Sequence, residues 1–295
     1  MTQRRVSTAN RATTVLARQL GGQLLAFREA VGLNQSQAAE VLSAQTAKVA
    51  KMERGWVPFR DPDIIALCKL YGVDDDEVVE GLLRLAKLDR ERRKVKGWWN
   101  DTPTPNRQRE YIVMEDAAFK IRQWQMALIP GLFQTPEYTR AMCVADMTLD
   151  DIDRIEGIVT VREKRQMRLH AAEPMQIHAV IWEAALRQLM GGPLVMGRQL
   201  AHLCALAERP NIRIQVLPFR AGAHTCIGGT FNILSFCDDE AVDVVHMESL
   251  RSTIWIEDAE ESAVYTTLFD RVSRASLSPY DSIQFIDGLC REMSE

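Results

Sequence analysis

A chain of 295 residues, 46% hydrophobic and 26% charged, is long for one compact domain and has apolar material for two cores. No apolar run approaches the roughly 20 residues that span a bilayer, and the polar, Arg-containing start lacks the apolar stretch of an export signal. The composition therefore predicts a cytoplasmic protein with no membrane partner, nucleoid-associated if it binds DNA. The net charge of −4 hides an asymmetry: residues 1–97 hold 17 Lys/Arg against 12 Asp/Glu, whereas residues 98–295 hold 19 against 28. A polyanion is attracted by the first part and repelled by the second. The six cysteines are scattered without a C-x-x-C pair, which fits small buried hydrophobes better than a disulfide framework.

Residues 1–14 are polar and aperiodic and read as a flexible arm. Leu16, Leu20, Leu24, Phe27 and Val31 then mark an amphipathic helix stopped at Gly32. Residues 33–55 read as two short helices joined by a tight turn. Asn34 is a good cap, and Ala38, Ala39, Val41 and Leu42 keep to one face; after a polar break, Ala47, Val49, Ala50 and Met52 mark the second helix, ending near Gly55. Neither helix is long enough to stand alone, and the small Ala39 suits a close crossing of the two backbones. Gln45, Thr46, Lys48 and Lys51 remain on the outer face, with amides, hydroxyls and cations suited to base edges and phosphates. Pro58 and Pro62 enforce a loop, and two further helices follow, one up to Gly72 and one capped by residues 74–76. The mixed-charge run 89–96 reads as a solvated helical extension or the start of a linker.

The residues Gln35, Ala39, Ser43 and Glu53-Arg54-Gly55 stand at the spacing by which this stretch resembles the helix-turn-helix of the Xre/lambda-repressor type. Ser43 departs from the glycine usual in that turn, where a left-handed backbone is common. The resemblance implies an all-α five-helix DNA-binding domain over residues 15–88 and double-stranded DNA as partner. On that basis Gln45 and Thr46 are the expected base readers, with Ala47 placed to touch a thymine methyl. Gln35, Lys48, Lys51 and Arg54 are expected on phosphates. One short recognition helix covers only a few base pairs, so a homodimer on an inverted-repeat operator is expected.

Residues 89–110, with Trp98, Trp99, Pro103 and Pro105, read as a linker, and residues 111–295 as a second domain. Helical patterns cover 111–126, 137–147 and 149–172. Between the first two lies LIPGLFQTPEY, residues 128–138, whose prolines and glycine force turns. From Met175 the period changes to short β-rich runs, MQIHAVIWE, NIRIQVLPF, GTFNILSF and AVDVVHMES, with helices between the first two and two more closing the chain. A strand, a helical crossover and a strand predict a parallel pair, and the later runs antiparallel additions. The fold class is thus a five-helix domain followed by an α+β domain, a mixed sheet with flanking helices. WWND, LIPGLFQTPEYTRAM, VREKRQ, IWEAALRQ, NIRIQVLPFRAGAH, TFNILSF and FDRVSRASLSP resemble the C-terminal domain of unknown function found in actinobacterial, especially streptomycete, regulators of the WhiJ type. That resemblance implies a transcription regulator, often encoded beside a small partner protein, and implies no particular ligand.

No G-x-S-x-G elbow, H-E-x-x-H, Walker loop or G-x-G-x-x-G occurs, so no catalytic residues, metal or cofactor are expected and the chain does not read as an enzyme. One constellation at strand ends and in a Gly-containing loop suits a small-molecule effector: Arg162, Trp182, Glu183, His224 and Glu248. Arg162, Glu183, His224 and Glu248 also have plain structural roles open to them, as solvated helix face, helix cap, loop residue and exposed strand end. The second domain is therefore expected to sense a small ligand or to dock a small partner protein, with the apolar segment 128–133 as the docking surface. The alternatives are an enzyme or a dimerisation module alone.

Overall fold

Thr14 opens the first helix, its hydroxyl oxygen accepting the Ala17 amide at 3.0 Å, in a computed structural model that describes residues 14–93, 97–100, 106–145, 151–237, 242–249 and 252–293. The chain divides into two compact units, residues 1–113 and 114–295. In the first unit α1 (Val15–Ala30) buries Leu16, Leu20 and Leu24, the stripe predicted from its spacing. It packs with α2 (Gln35–Val41), α3 (Thr46–Glu53), α4 (Asp61–Tyr71) and α5 (Asp76–Arg92) around Ala38, Ala39, Val49, Met52, Ile64, Leu67 and Leu82. A close approach of α1 to α3 is made at Gly21, where a Cβ would lie 2.4 Å from the Glu53 carbonyl oxygen and 2.7 Å from that of Met52.

Two expectations for this unit change. Thr14 belongs to the folded unit rather than the arm: it is buried, caps α1 and donates its hydroxyl to Asp89. The rest of the expected arm, with Arg4, Arg5 and Arg11, lies outside the described residues. The run from Asp89 extends α5 to Arg92, as expected, but its described charges are engaged rather than solvated. Asp89 is 1% exposed and accepts Arg93 Nε at 2.8 Å, while Arg93 Nη2 donates to the Gly55 carbonyl at 2.6 Å and Arg90 Nη1 to that of Phe59 at 3.0 Å. Charges that look solvated in sequence here satisfy backbone carbonyls of the loop that follows α3; residues 94–96 lie outside the described ones.

The helix predicted over 111–126 is two elements. The helix α6 (Asn106–Ala117) ends, and β1 (Lys120–Gln125) begins three residues later as an interior strand of the sheet. KIRQWQ shows little apolar alternation because its polar side chains find partners beside them: Gln123 Nε2 donates to Asn232 Oδ1 at 3.0 Å and Arg122 pairs with Asp243. A buried strand carrying such pairs lacks the period-2 signal. After α7 (Pro136–Val144) and α8 (Ile152–Gln166) come β2 (Gln176–Trp182), α9 (Glu183–Arg187), α10 (Pro193–Ala207) and β3 (Ile212–Leu217). Then follow β4 (Phe231–Ser235), β5 (Val244–Glu248), β6 (Thr253–Ile256), α11 (Ala259–Ala275) and α12 (Pro279–Glu292). The six strands run in the order β3-β2-β1-β4-β5-β6. As predicted, β2 and β3 are parallel and β4 and β5 antiparallel; β1 joins β2 in parallel and β4 antiparallel, making the sheet mixed. The four-residue β6 was too short to register in the sequence.

One face of this sheet carries Trp124, Val180, Leu217, Phe231, Ile233 and Val245, which pack with Phe269 and Val272 of α11. Its half-buried His178 is held by Gln215, Nε2 to Oε1 at 2.6 Å, and desolvation pushes its pKa down to about 4, so it is neutral at physiological pH.

Candidate functional site

The turn between α2 and α3 is made by Ser43 at φ +47°, the one non-glycine residue with positive φ among the described residues. The departure noted in the sequence thus falls at the position that needs the left-handed conformation. A capping box between Asn34 and Gln37 fixes the start of α2, and the Ala44 amide donates to the Ala39 carbonyl at 2.8 Å, closing the turn.

A buried polar clamp sets the pitch of the two helices. Arg28 of α1 donates to Glu53 of α3, Nε to Oε1 at 2.6 Å and Nη2 to Oε2 at 3.2 Å, while its Nη1 donates to the Leu33 carbonyl at 2.7 Å. Gln35 at the start of α2 adds a third bond, Nε2 to Glu53 Oε2 at 2.7 Å. Glu53 thereby holds three helices. The paired carboxylate raises the Arg28 pKa, and burial, with the Glu53 charge as the lesser cause, pushes the Tyr71 phenol up to about 12. Gln35, placed on a phosphate by sequence, spends one amide proton on this clamp.

The other expected DNA contacts lie together at α3. Gln45, Thr46, Ala47 and Arg54 are exposed and Lys48 and Lys51 half-buried. Gln45 occupies the N-cap position with no side-chain bond to the helix, so its amide is not consumed in capping. The Thr46 hydroxyl lies 3.4 Å from that of Ser36, linking the first turns of α2 and α3. Arg54 sits over the Trp56 ring, 5.4 Å from its centroid, and Trp56 is 45% exposed. Trp56 was missed in the sequence, although an aromatic two residues past a cation at a helix end is a readable signal.

In the second unit the effector constellation separates into three places. Trp182 and His224 are together, ring centroids 6.1 Å apart, in a cluster completed by Trp124, 5.2 Å from His224, and Phe219, 5.6 Å from Trp182. The loop bearing His224 is anchored by Trp124 Nε1 donating to the Cys226 carbonyl at 3.0 Å. His224 Nδ1 is buried without a hydrogen-bond partner, and desolvation lowers its pKa. Glu183 adjoins the cluster but is buried and engaged, accepting Arg187 Nε at 2.6 Å and the Phe219 amide at 2.7 Å. Glu248 ends β5, three strand positions from β2, hence about 14 Å away by ordinary strand spacing. Arg162 lies on α8 and donates Nη1 to Gln134 Oε1, so its expected neighbours are replaced by the segment before α7. Trp124 and Phe219 join the cluster through β1 and the turn after β3, a proximity that no local pattern encodes.

The segment 128–133 is no docking surface: Ile129, Leu132 and Phe133 are each at most 1% exposed, and the Phe133 carbonyl accepts Gln199 Nε2 at 2.7 Å. Among the described residues no group of three or more His, Cys, Asp or Glu is placed to hold a metal ion, and no helix is long and apolar enough to cross a membrane.

Comparison with known families gives two matches. A model described as a helix-turn-helix domain matches residues 19–81, and one described as a domain of unknown function (DUF5753) matches residues 108–288. Neither a curated protein nor a solved structure matches the chain.

Proposed function

We propose that this chain, which belongs to the DUF5753 family and carries a helix-turn-helix domain ahead of that domain, is a sequence-specific transcription regulator of the Xre type that acts as a homodimer on an inverted-repeat operator. The observation that carries the reading is the exposed triplet Gln45, Thr46 and Ala47 at the first turn of α3, on a helix whose pose is fixed from behind by the buried Arg28–Glu53 pair. Rigid presentation of short polar side chains at a helix start is what direct reading of base edges in a major groove needs. Lys48, Lys51 and Arg54 flank the triplet and supply phosphate contacts, with Gln35 contributing its remaining amide proton.

The second domain, in this reading, is a regulatory module rather than an enzyme. It responds to a small effector at Trp182 and His224, where an aromatic cluster surrounds a ring nitrogen that lacks a partner. An effector alters DNA binding only if it binds the DNA-competent and incompetent dimers unequally.

Footprinting of the full chain on its own upstream DNA tests the proposal. Protection of two half-sites with centres about 34 Å apart, or a multiple of that, is expected. Protein that is folded and dimeric yet protects no repeat sinks it. A domain fully replaceable by an unrelated dimerisation module would reduce residues 111–295 to a clamp.

A further inference from the structure

Arg162 is a cation without an acid. It is half-buried on α8, its Nη1 donates to the neutral amide oxygen of Gln134, and its Nε is buried with no partner. No carboxylate stands within ion-pair distance of it among the described residues. The next turn of α8 brings a second cation, Arg165, and that one is neutralised: Nε and Nη2 grip the two oxygens of the buried Glu115 at 2.6 and 2.7 Å. Both guanidinium groups converge on Gly131. A Cβ there would lie 3.6 Å from Arg165 Nη2 and 3.8 Å from Arg162 Cζ. Two positive charges therefore share one negative one, and desolvation, with Arg165 as the next cause, drags the Arg162 pKa down to about 10. Arginine does not solve this by losing its proton near neutral pH.

The surroundings hold Arg162 in place rather than neutralise it. Gln134 is buried and its amide is oriented at both ends, Nε2 donating to the Ile129 carbonyl at 2.7 Å and Oε1 accepting the Thr139 hydroxyl at 3.3 Å. The buried Pro130 and Leu132 flank Gly131 on this turn, and the glycine brings no side chain against the guanidinium groups, where a Cβ would make only ordinary contact. A fixed, part-desolvated, uncompensated guanidinium beside a bare Cα is costly to the folded chain and is suited to a planar or tetrahedral oxyanion.

We infer that Arg162, with Gln134 and Gly131, forms an anion-receptor site for a carboxylate or phosphate group carried by a small molecule. The site is separate from the aromatic cluster at Trp182 and His224 and does not depend on the reading of that cluster. Arg162 supplies the charge and an Nη face, Gln134 sets its orientation, and Gly131 gives the anion room to approach.

Thermal unfolding of the full chain at constant ionic strength in chloride, titrated with sodium phosphate or with sodium acetate, tests this. One of the two anions is expected to raise the unfolding midpoint saturably by about 2–4 °C, and the one that does so distinguishes phosphate from carboxylate chemistry. Arg162→Met is expected to lose most of that rise while melting at or above the unaltered protein in chloride alone, because an uncompensated charge has been removed. Gly131→Ala, whose added methyl meets only ordinary contacts, is expected to fold normally and to need several-fold more anion for half the effect. The inference is overturned if neither anion shifts the parent chain. A shift that persists in Arg162→Met overturns it too, and if that shift disappears in Lys51→Ala the anion belongs to the DNA-binding face. Should Arg162→Met fail to fold, an unchanged half-effect concentration in Gly131→Ala overturns the inference by itself.

Discussion

Arg28 and Glu53, both under one tenth exposed and 2.6 Å apart from Nε to Oε1, tie the end of α1 to the end of α3. The closing Glu-Arg-Gly of the motif thus has two different employments: Glu53 faces inward as a structural acid and Arg54 outward over Trp56. Removing one partner of a buried pair leaves the other charge uncompensated, which costs about 3–5 kcal/mol. Glu53→Ala is therefore expected to lower stability by several kcal/mol in urea unfolding and to abolish operator binding through loss of the helix pose. A Glu53→Ala protein of parental stability would show that the clamp is dispensable.

Tyr71 gives the clamp a measurable alkaline limit. Burial, assisted by Glu53, holds its phenol near 12 in the folded protein, against about 10 when unfolded. A raised folded pKa means that the stability from keeping the phenol neutral is intact below pH 10 and is lost between pH 10 and 12. Unfolding free energy measured across that window is expected to fall, and to fall less steeply in Tyr71→Phe. Equal slopes in the two proteins would deny Tyr71 this role.

Gly21 is required by contact rather than by backbone conformation. An added methyl would sit 2.4 Å from the Glu53 carbonyl oxygen, which is backbone and cannot swing aside. Gly21→Ala is expected to force α1 and α3 apart and to destabilise by about 1–3 kcal/mol, even though alanine is the better helix former. Circular dichroism melts of the two proteins decide it.

Ser43 works in the opposite direction. At φ +47° a residue with a Cβ is strained, and glycine relieves that strain while adding unfolded-state entropy. Ser43→Gly is expected to raise stability by about 0.5–1 kcal/mol and to leave operator affinity unchanged. A loss of stability would mean that the serine hydroxyl contributes more than its backbone costs.

The first unit could be read from sequence because its chemistry is contiguous: cap, apolar stripe, turn and closing motif occupy residues 33–55, and the helices they predict are those observed. The second was read unevenly. The strands β2 to β5 announce themselves by β-branched runs, whereas β1 hides its pairing in Gln123 and Arg122, whose partners Asn232 and Asp243 lie more than a hundred residues away. The effector constellation suffered the same way. Trp182 and His224 do meet, but Arg162 is claimed by Gln134, and Glu248 is set apart by the strand order, which depends on where β1 inserts. Apolar character alone also misplaced 128–133, since an exposed docking strip and a buried turn have the same composition.

The outer face of α3 allows specificity and affinity to be separated by two substitutions. Gln45 is exposed with no bond to its own helix, and its amide can both donate to and accept from a base edge. Gln45→Ala is expected to narrow the gap between operator and unrelated DNA by about 1–3 kcal/mol while leaving the salt dependence as it was. Lys51 is a half-buried cation six residues, nearly two turns, further along, of the kind that meets phosphates. Lys51→Ala is expected to weaken binding on operator and unrelated DNA alike and to reduce the slope of log affinity against log salt by about 1, because one fewer counterion is released. Mobility-shift titrations on both DNAs at several salt concentrations supply all four quantities. If Lys51→Ala changed specificity with an unaltered slope, or Gln45→Ala lowered the slope with specificity intact, the two roles would have to be exchanged, and the docking of α3 in the groove would differ from that proposed here.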